Sequence, residues 1–153
     1  MSRIADRLSE LGLTLPAVAA PVAAYVPAVV QGNLVYTSGQ LPFVDGVLPA
    51  TGKVGGSVSA EDAQSYAATC ALNALAAVQG VIGSLDRVTQ IVKVTGFVAS
   101  DPSFTGQPGV INGASTLLGE IFGGSGIHAR SAVGVAVLPL DAPVEVELVV
   151  AFA

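Results

Sequence analysis

The chain has 153 residues, 52% hydrophobic and 11% charged, which is apolar material for one domain with a substantial core and gives no reason to expect a second. Six Lys and Arg against eleven Asp and Glu leave a net charge of -5 without a basic patch, which argues against a surface that tracks nucleic-acid phosphates. The single cysteine, Cys70, excludes an internal disulfide, and so few charges leave a monomer short of polar residues to cover its outside, a composition that favours an oligomer.

From Ser2 to Leu11, Ile4, Leu8 and Leu11 fall on one side and Arg3, Asp6, Arg7 and Glu10 on the other, the spacing of a short amphipathic helix that Gly12 ends. A Pro/Ala-rich linker follows. Residues 1–24 are therefore read as an N-terminal helix and linker, and 25–153 as a single domain. No residue from Leu11 to Val44 is charged, but Pro16, Pro21, Pro27, Gly32 and Pro42 interrupt the run too often for a membrane-spanning helix. Asp6 and Glu10 do not suit a cationic leader either, so a soluble cytoplasmic protein is expected.

Tyr25 opens a strand-like run to Val30, and a Gly32-Asn33 turn leads into a second strand, Asn33 to Ser38, closed by Ser38-Gly39-Gln40. Asp45-Gly46 marks a tight turn, and Gly52, Gly55 and Gly56 make a loop. The GKVGG run lacks the spacing of a phosphate-binding loop, so Lys53 reads as solvent-facing. Ser59 stands where it caps a long helix, with Glu61 and Asp62 in the first turn. Ala63, Tyr66, Ala67, Cys70, Ala74, Leu75 and Val78 then recur at helical spacing until Gly83, and Cys70 reads as plain packing. Arg87 to Ala99 is a strand whose Thr89, Lys93 and Thr95 face out. After a loop over 101–108 that carries Phe104, a second helix shows the stripe Val110, Ala114, Leu117, Leu118 and Ile121, and Gly123, Gly124 and Gly126 end it. Asn112 lies off that stripe, as a solvated or capping residue would. His128 has no ligand set in range, so no metal site is expected, and it reads as a loop histidine.

Two further strands, Ser131 to Val137 and Val144 to Val150, flank LPLDAP, whose prolines cannot donate to a sheet ladder. Val144, Val146, Leu148 and Val150 point one way, which puts Glu145 and Glu147 together on the other face. Arg130 opens the first of these runs. A lone ion in so apolar a segment is costly to desolvate, so two accounts stand: a structural pair between Arg130 and a glutamate, or an anion-receiving arginine beside a carboxylate that handles protons or water. In a simple hairpin Arg130 and Glu145 would be offset by about 15 Å. For them to meet, another strand must separate the two runs, or they must meet across a subunit boundary.

The segment ARSAVGVAVLPLDAPVEVE, from Ala129 to Glu147, resembles the C-terminal signature of the Rid/YjgF family, the reactive-intermediate deaminases. Tyr25, GNLVYTSGQLP from Gly32 to Pro42, IVKVTGFV from Ile91 to Val98, and VIN from Val110 to Asn112 resemble family landmarks in the same order, so the likeness spans nearly everything beyond the first twenty residues. It implies an α+β fold of the YjgF/chorismate-mutase-like type: a mixed β-sheet with two long helices packed on one face, assembled as a homotrimer with ligand clefts between neighbouring subunits. It further implies hydrolysis of reactive 2-imino and 2-enamino acids, such as 2-iminopropanoate and 2-aminoacrylate, to 2-keto acids and ammonia without a cofactor. Arg130 would anchor the substrate and Glu145 direct the water, with Tyr25, Ser38, Gly39, Asn112 and Ala132 as substrate contacts and Glu147 as a supporting or exposed acid. The implied partners are a small 2-imino or 2-keto acid and further copies of the chain, with neither nucleic acid nor membrane. Ala132 stands where many of these deaminases have cysteine and Gly134 where they have a bulkier residue, which marks a divergent branch and excludes a thiol role. The competing functions are a non-catalytic trimer that binds small carboxylates or keto acids and, against the acidic charge, an endoribonuclease. The chorismate mutase reaction would want several cations around a dicarboxylate, where the sequence offers one.

Overall fold

In the computed structural model, which describes residues 2–21 and 23–153, the sequence periodicities become three helices and a five-stranded sheet. Met1 and Val22, both within the segment read as N-terminal helix and linker, lie outside the described residues. The helices are α1 (Arg3–Glu10), α2 (Ala60–Ile82) and α3 (Gln107–Phe122). The strands are β1 (Ala28–Gln31), β2 (Leu34–Thr37), β3 (Val88–Ala99), β4 (Ala129–Val135) and β5 (Val144–Phe152).

Across the sheet the order is β1-β2-β5-β3-β4, antiparallel throughout except for β3 with β4. That parallel pair needs a crossover, which α3 supplies. The hairpin of β1 and β2 closes on Gly32-Asn33, with Gly32 at φ 62° in the first central position, where a side chain would be strained. β1 begins at Ala28 instead of Tyr25 because Pro27 cannot donate to a ladder; its carbonyl instead accepts from the Ser38 N–H at 2.8 Å. Tyr25 and Val26 thus stand ahead of the strand, a correction to the extended run read from Tyr25.

One sheet face carries Val35, Val94, Val98, Val144, Val146, Leu148 and Val150, all buried under α2 and α3. α2 is long and apolar enough to cross a membrane by composition, yet Ala63, Ala67, Ala71, Ala74 and Leu75 are spent on this core. The Ser59 hydroxyl accepts from the Asp62 N–H at 3.1 Å and begins α2 as its position suggests. Where α3 meets α2, a Cβ on Gly113 would stand 1.9 Å from the Gln64 carbonyl oxygen, so only glycine permits the approach.

Among the described residues no helix lies on the opposite sheet face. Tyr36, Lys93, Thr95, Phe97, Val133, Glu145, Glu147 and Val149 share it by alternation and register, with Tyr36 47% and Val133 44% exposed. LPLDAP forms a 3-10 turn over Pro139–Asp141 that crosses the end of β3, where the Ala99 N–H donates to the Pro143 carbonyl at 2.9 Å. Lys53 is ion-paired with Asp141 there and so is engaged, not simply solvent-facing as the sequence suggested.

Candidate functional site

The register Val94↔Arg130 places Arg130 on the helix-covered side of the edge strand β4. From α3, Pro108, Asn112 and Ser115 meet it at i, i+4 and i+7, one face of a helix. Nη1 of Arg130 donates to Asn112 Oδ1 at 2.7 Å and to Ser115 Oγ at 3.2 Å, and Nη2 donates to the Pro108 carbonyl at 3.3 Å. A guanidinium has five N–H donors. These three bonds leave Nε–H and one Nη2 hydrogen, which are what an incoming carboxylate would bridge. Among the described residues the ion pairs are Arg7–Glu10 and Lys53–Asp141, so Arg130 is not paired with a glutamate of its own chain. The structural-pair account therefore does not hold within the protomer.

Ser115 links Arg130 to His128, whose Nε2 lies 2.9 Å from the serine Oγ and whose Nδ1 lies 2.6 Å from the Gly126 carbonyl. Ala132 and Gly134 follow Arg130 on the same strand face. Ala132 is partly buried and packs on the core. A Cβ at Gly134 would come within 2.8 Å of Gln107 Nε2 and 3.1 Å of Ser100 Oγ, which accounts for the small residue where the family resemblance anticipates a larger one.

Glu145 belongs to a different group. It sits opposite Phe97 on the face without helices, half-buried, with Glu147 two residues along. Burial, and then the charge of Glu147, raise its pKa above the ordinary glutamate value. Ser38-Gly39-Gln40 is tied to β5 by reciprocal backbone bonds between Gln40 and Val146, at 2.8 and 3.1 Å. This brings Gly39 so near that a Cβ there would lie 1.9 Å from Glu145 Oε1. The Ser38 hydroxyl donates to the Val26 carbonyl at 2.6 Å, so it has only acceptor capacity left for a ligand. Tyr25, 44% exposed, shares a cleft of about 40 Å³ with Pro27, Gly39, Gln40, Leu41 and Phe43. Behind Glu145, Cys70 is fully buried and burial pushes its thiol pKa well up, so it remains a protonated packing residue.

The predicted residues thus fall into two separate groups. Arg130, Asn112 and Ala132 gather on the helix side of β4, and Tyr25, Ser38, Gly39 and Glu145 at the start of β5. β3 does separate the two runs, as one sequence alternative required, but it does not bring Arg130 to Glu145. Across β3 Arg130 aligns with Leu148, three residues from Glu145, and the two side chains leave opposite faces of the sheet. Sequence reasoning missed Ser115 and placed His128 as a loop histidine at the mouth of the site. The signal was present: Asn112 and Ser115 are i, i+3 on a helix, and His128 stands two residues before Arg130, just ahead of β4.

The family profile described as "YjgF/chorismate_mutase-like, putative endoribonuclease" matches residues 5–153. The chain is 47% identical over 149 residues to Protein TCP17 of Trypanosoma cruzi, covering 97% of this chain and 93% of that one. A crystal structure of a protein of unknown function from Agrobacterium tumefaciens is similar at a TM-score of 0.92 and 46% identity, over 99% of this chain and 93% of that one. E. coli TdcF, solved with bound serine, is similar at a TM-score of 0.64 and 27% identity, over 92% of this chain and 96% of that one.

Proposed function

The chain belongs to the YjgF/chorismate-mutase-like family, and from that premise we propose that it hydrolyses small reactive 2-imino and 2-enamino acids to 2-keto acids and ammonia, in clefts between the subunits of a homotrimer. The observation that carries this reading is Arg130: a guanidinium oriented by three bonds from α3, with no carboxylate partner among the described residues and two N–H donors to spare. Such a fork fits the carboxylate of a 2-imino acid in two parallel bonds and stays charged at any working pH. The serine in TdcF supports a small amino-acid-sized ligand for this fold.

Glu145 of a neighbouring copy completes the site. Its pKa, raised by burial and by Glu147, suits a base that must also give its proton back. The carboxylate takes a proton from water while the water oxygen bonds to the iminium carbon, forming a carbinolamine. Return of the proton to nitrogen, with the carboxylate then taking the hydroxyl proton, lets the C–N bond break as the C=O bond forms, and ammonia leaves with the 2-keto acid. A 2-enamino acid enters the same route once its β-carbon is protonated. Because the iminium carbon is already electrophilic, positioning supplies most of what the reaction needs.

One observation favours a second reading. Arg130 is oriented by Asn112 and Ser115 of its own chain while Glu145 is elsewhere, as a carboxylate-binding protein without turnover would have it. An assay that generates 2-iminopropanoate and follows its loss separates the two. We expect Arg130→Ala to lower kcat/KM by about a hundredfold or more, and Glu145→Gln to keep pyruvate binding while abolishing turnover. Equal imine loss with and without wild-type protein, pyruvate still binding, would leave the second reading; equal rates for wild type and Arg130→Ala would sink the enzyme assignment.

A further inference from the structure

Arg130 must be held still to receive a carboxylate in two bonds, and Asn112 and Pro108 alone leave its long side chain a choice of rotations. A third bond ties it to a polar chain whose every proton can be assigned. Arginine can only donate, so Ser115 Oγ accepts from Nη1 at 3.2 Å and has its one proton left to give. The next polar atom is His128 Nε2, 2.9 Å from Oγ. In the neutral imidazole Nε2 is then the acceptor and Nδ1 carries the hydrogen, which meets the Gly126 carbonyl at 2.6 Å, an atom that can only accept. The chain runs from guanidinium to hydroxyl to imidazole to backbone, with no donor facing a donor. Its end is anchored by packing: Gly126 is buried, and a Cβ on it would stand 2.3 Å from the Leu118 carbonyl oxygen, so the loop and α3 are fixed against each other there.

We infer that Ser115 and His128 are positioning residues that orient the guanidinium of Arg130 for its carboxylate ligand. This rests on the anion-anchoring role proposed for Arg130. Ser115 and His128 also have the spacing of a nucleophile and its base, but Oγ receives the Arg130 Nη1 hydrogen on one side and spends its own proton on the other, which suits a relay.

The test compares wild type with Ser115→Ala, Ser115→Thr, His128→Phe and His128→Gln in the full chain, each checked for folding by thermal melting. The direct readout is NMR of the Arg130 side-chain nitrogens and of the His128 ring. Slow Nη rotation and an Nδ1–H tautomer in wild type, faster rotation in Ser115→Ala and His128→Phe, and recovery in Ser115→Thr and His128→Gln support the relay. The corresponding binding readout is pyruvate affinity, expected to fall about tenfold in Ser115→Ala and His128→Phe and to stay within about threefold in the two conservative variants. Equal Nη rotation in all five proteins, an Nε2–H tautomer, or labelling of Ser115 by a fluorophosphonate would overturn it. The rotation readout does not depend on what Arg130 binds. It therefore separates failure of the relay from failure of the anchor, which would show as unchanged pyruvate affinity in Arg130→Ala.

Discussion

Gly39 is conspicuous because its backbone dihedrals do not require glycine and its surroundings do. A methyl group there would land 1.9 Å from Glu145 Oε1, 2.7 Å from its carboxyl carbon and 3.0 Å from Cγ, so the carboxylate has to move while its charge and chemistry stay the same. If Glu145 directs the water, a shift of about an ångström is worth on the order of a hundredfold in rate. Gly39→Ala should therefore lower kcat with pyruvate affinity and melting temperature little changed. An alanine variant with wild-type kcat would mean that the carboxylate is not used where it stands. Individual residues of this kind were partly legible in the sequence. Alternation along VEVELVV put Glu145 and Glu147 on one face, and the structure agrees. That the carboxylate lies against Ser38-Gly39-Gln40 was not legible, because a contact between residues so far apart in the chain is fixed by the β2–β5 pairing and not by local periodicity. The same holds for Arg130, whose partners were set only when α3 crossed over to bring Asn112 and Ser115 beside β4.

Among the elements, the boundaries that side chains enforce were the legible ones. Ser59 and Gly83 delimit α2, and glycine ends α3 at Gly123. Two starts were misplaced: β1 begins late because Pro27 withholds a donor, and α3 begins at Gln107, inside the run read as a loop, since a first helical turn tolerates proline at Pro108. α1 depends on something no local pattern announces. Asp86, just before β3, accepts from the Ile4 N–H at 2.8 Å and the Arg3 N–H at 3.1 Å, occupying the orphan donors of the helix start. The Ile4 N–H is the leading cause of a lowered Asp86 pKa, with smaller help from Ser2 and Arg3 against a desolvation that raises it. A carboxyl whose folded pKa is lowered contributes stability that is present above its unfolded pKa, near 3.9, and is lost as pH falls through the folded value. Asp86→Ala is therefore expected to speed hydrogen exchange of the α1 amides at neutral pH, and the difference from wild type should shrink once acid has protonated the native aspartate. Exchange that is identical in the two proteins at neutral pH would show that Ile4 and Leu8, buried in the core, hold α1 unaided.

For the whole molecule the decisive fact is that Arg130 and Glu145 leave opposite faces of one sheet, so no rotation of either side chain joins them within a protomer. A composition with 11% charged residues already asked for an oligomer, and the sheet face bearing Tyr36, Val133 and Glu145 offers apolar surface that no helix among the described residues covers. In the closed ring of identical copies proposed above, each interface would pair one chain's Arg130 with its neighbour's Glu145. That arrangement makes a prediction which a site inside one chain cannot imitate. Arg130→Ala and Glu145→Gln, each inactive alone, should regain activity when they are unfolded together and refolded as a mixture. An interface whose arginine comes from the Glu145→Gln chain and whose glutamate comes from the Arg130→Ala chain is wild type at both positions. Random assembly at equal amounts gives roughly a quarter of such interfaces, and so roughly a quarter of the wild-type imine hydrolysis. Sedimentation should find the mixture at three times the chain's 15.2 kDa. If the mixture sediments as a trimer and stays as inactive as its components, the two residues do not share a site and the base must be sought elsewhere. If the wild-type protein itself sediments as a monomer while it turns over, catalysis belongs to the single chain and the interface pairing of Arg130 with Glu145 is wrong.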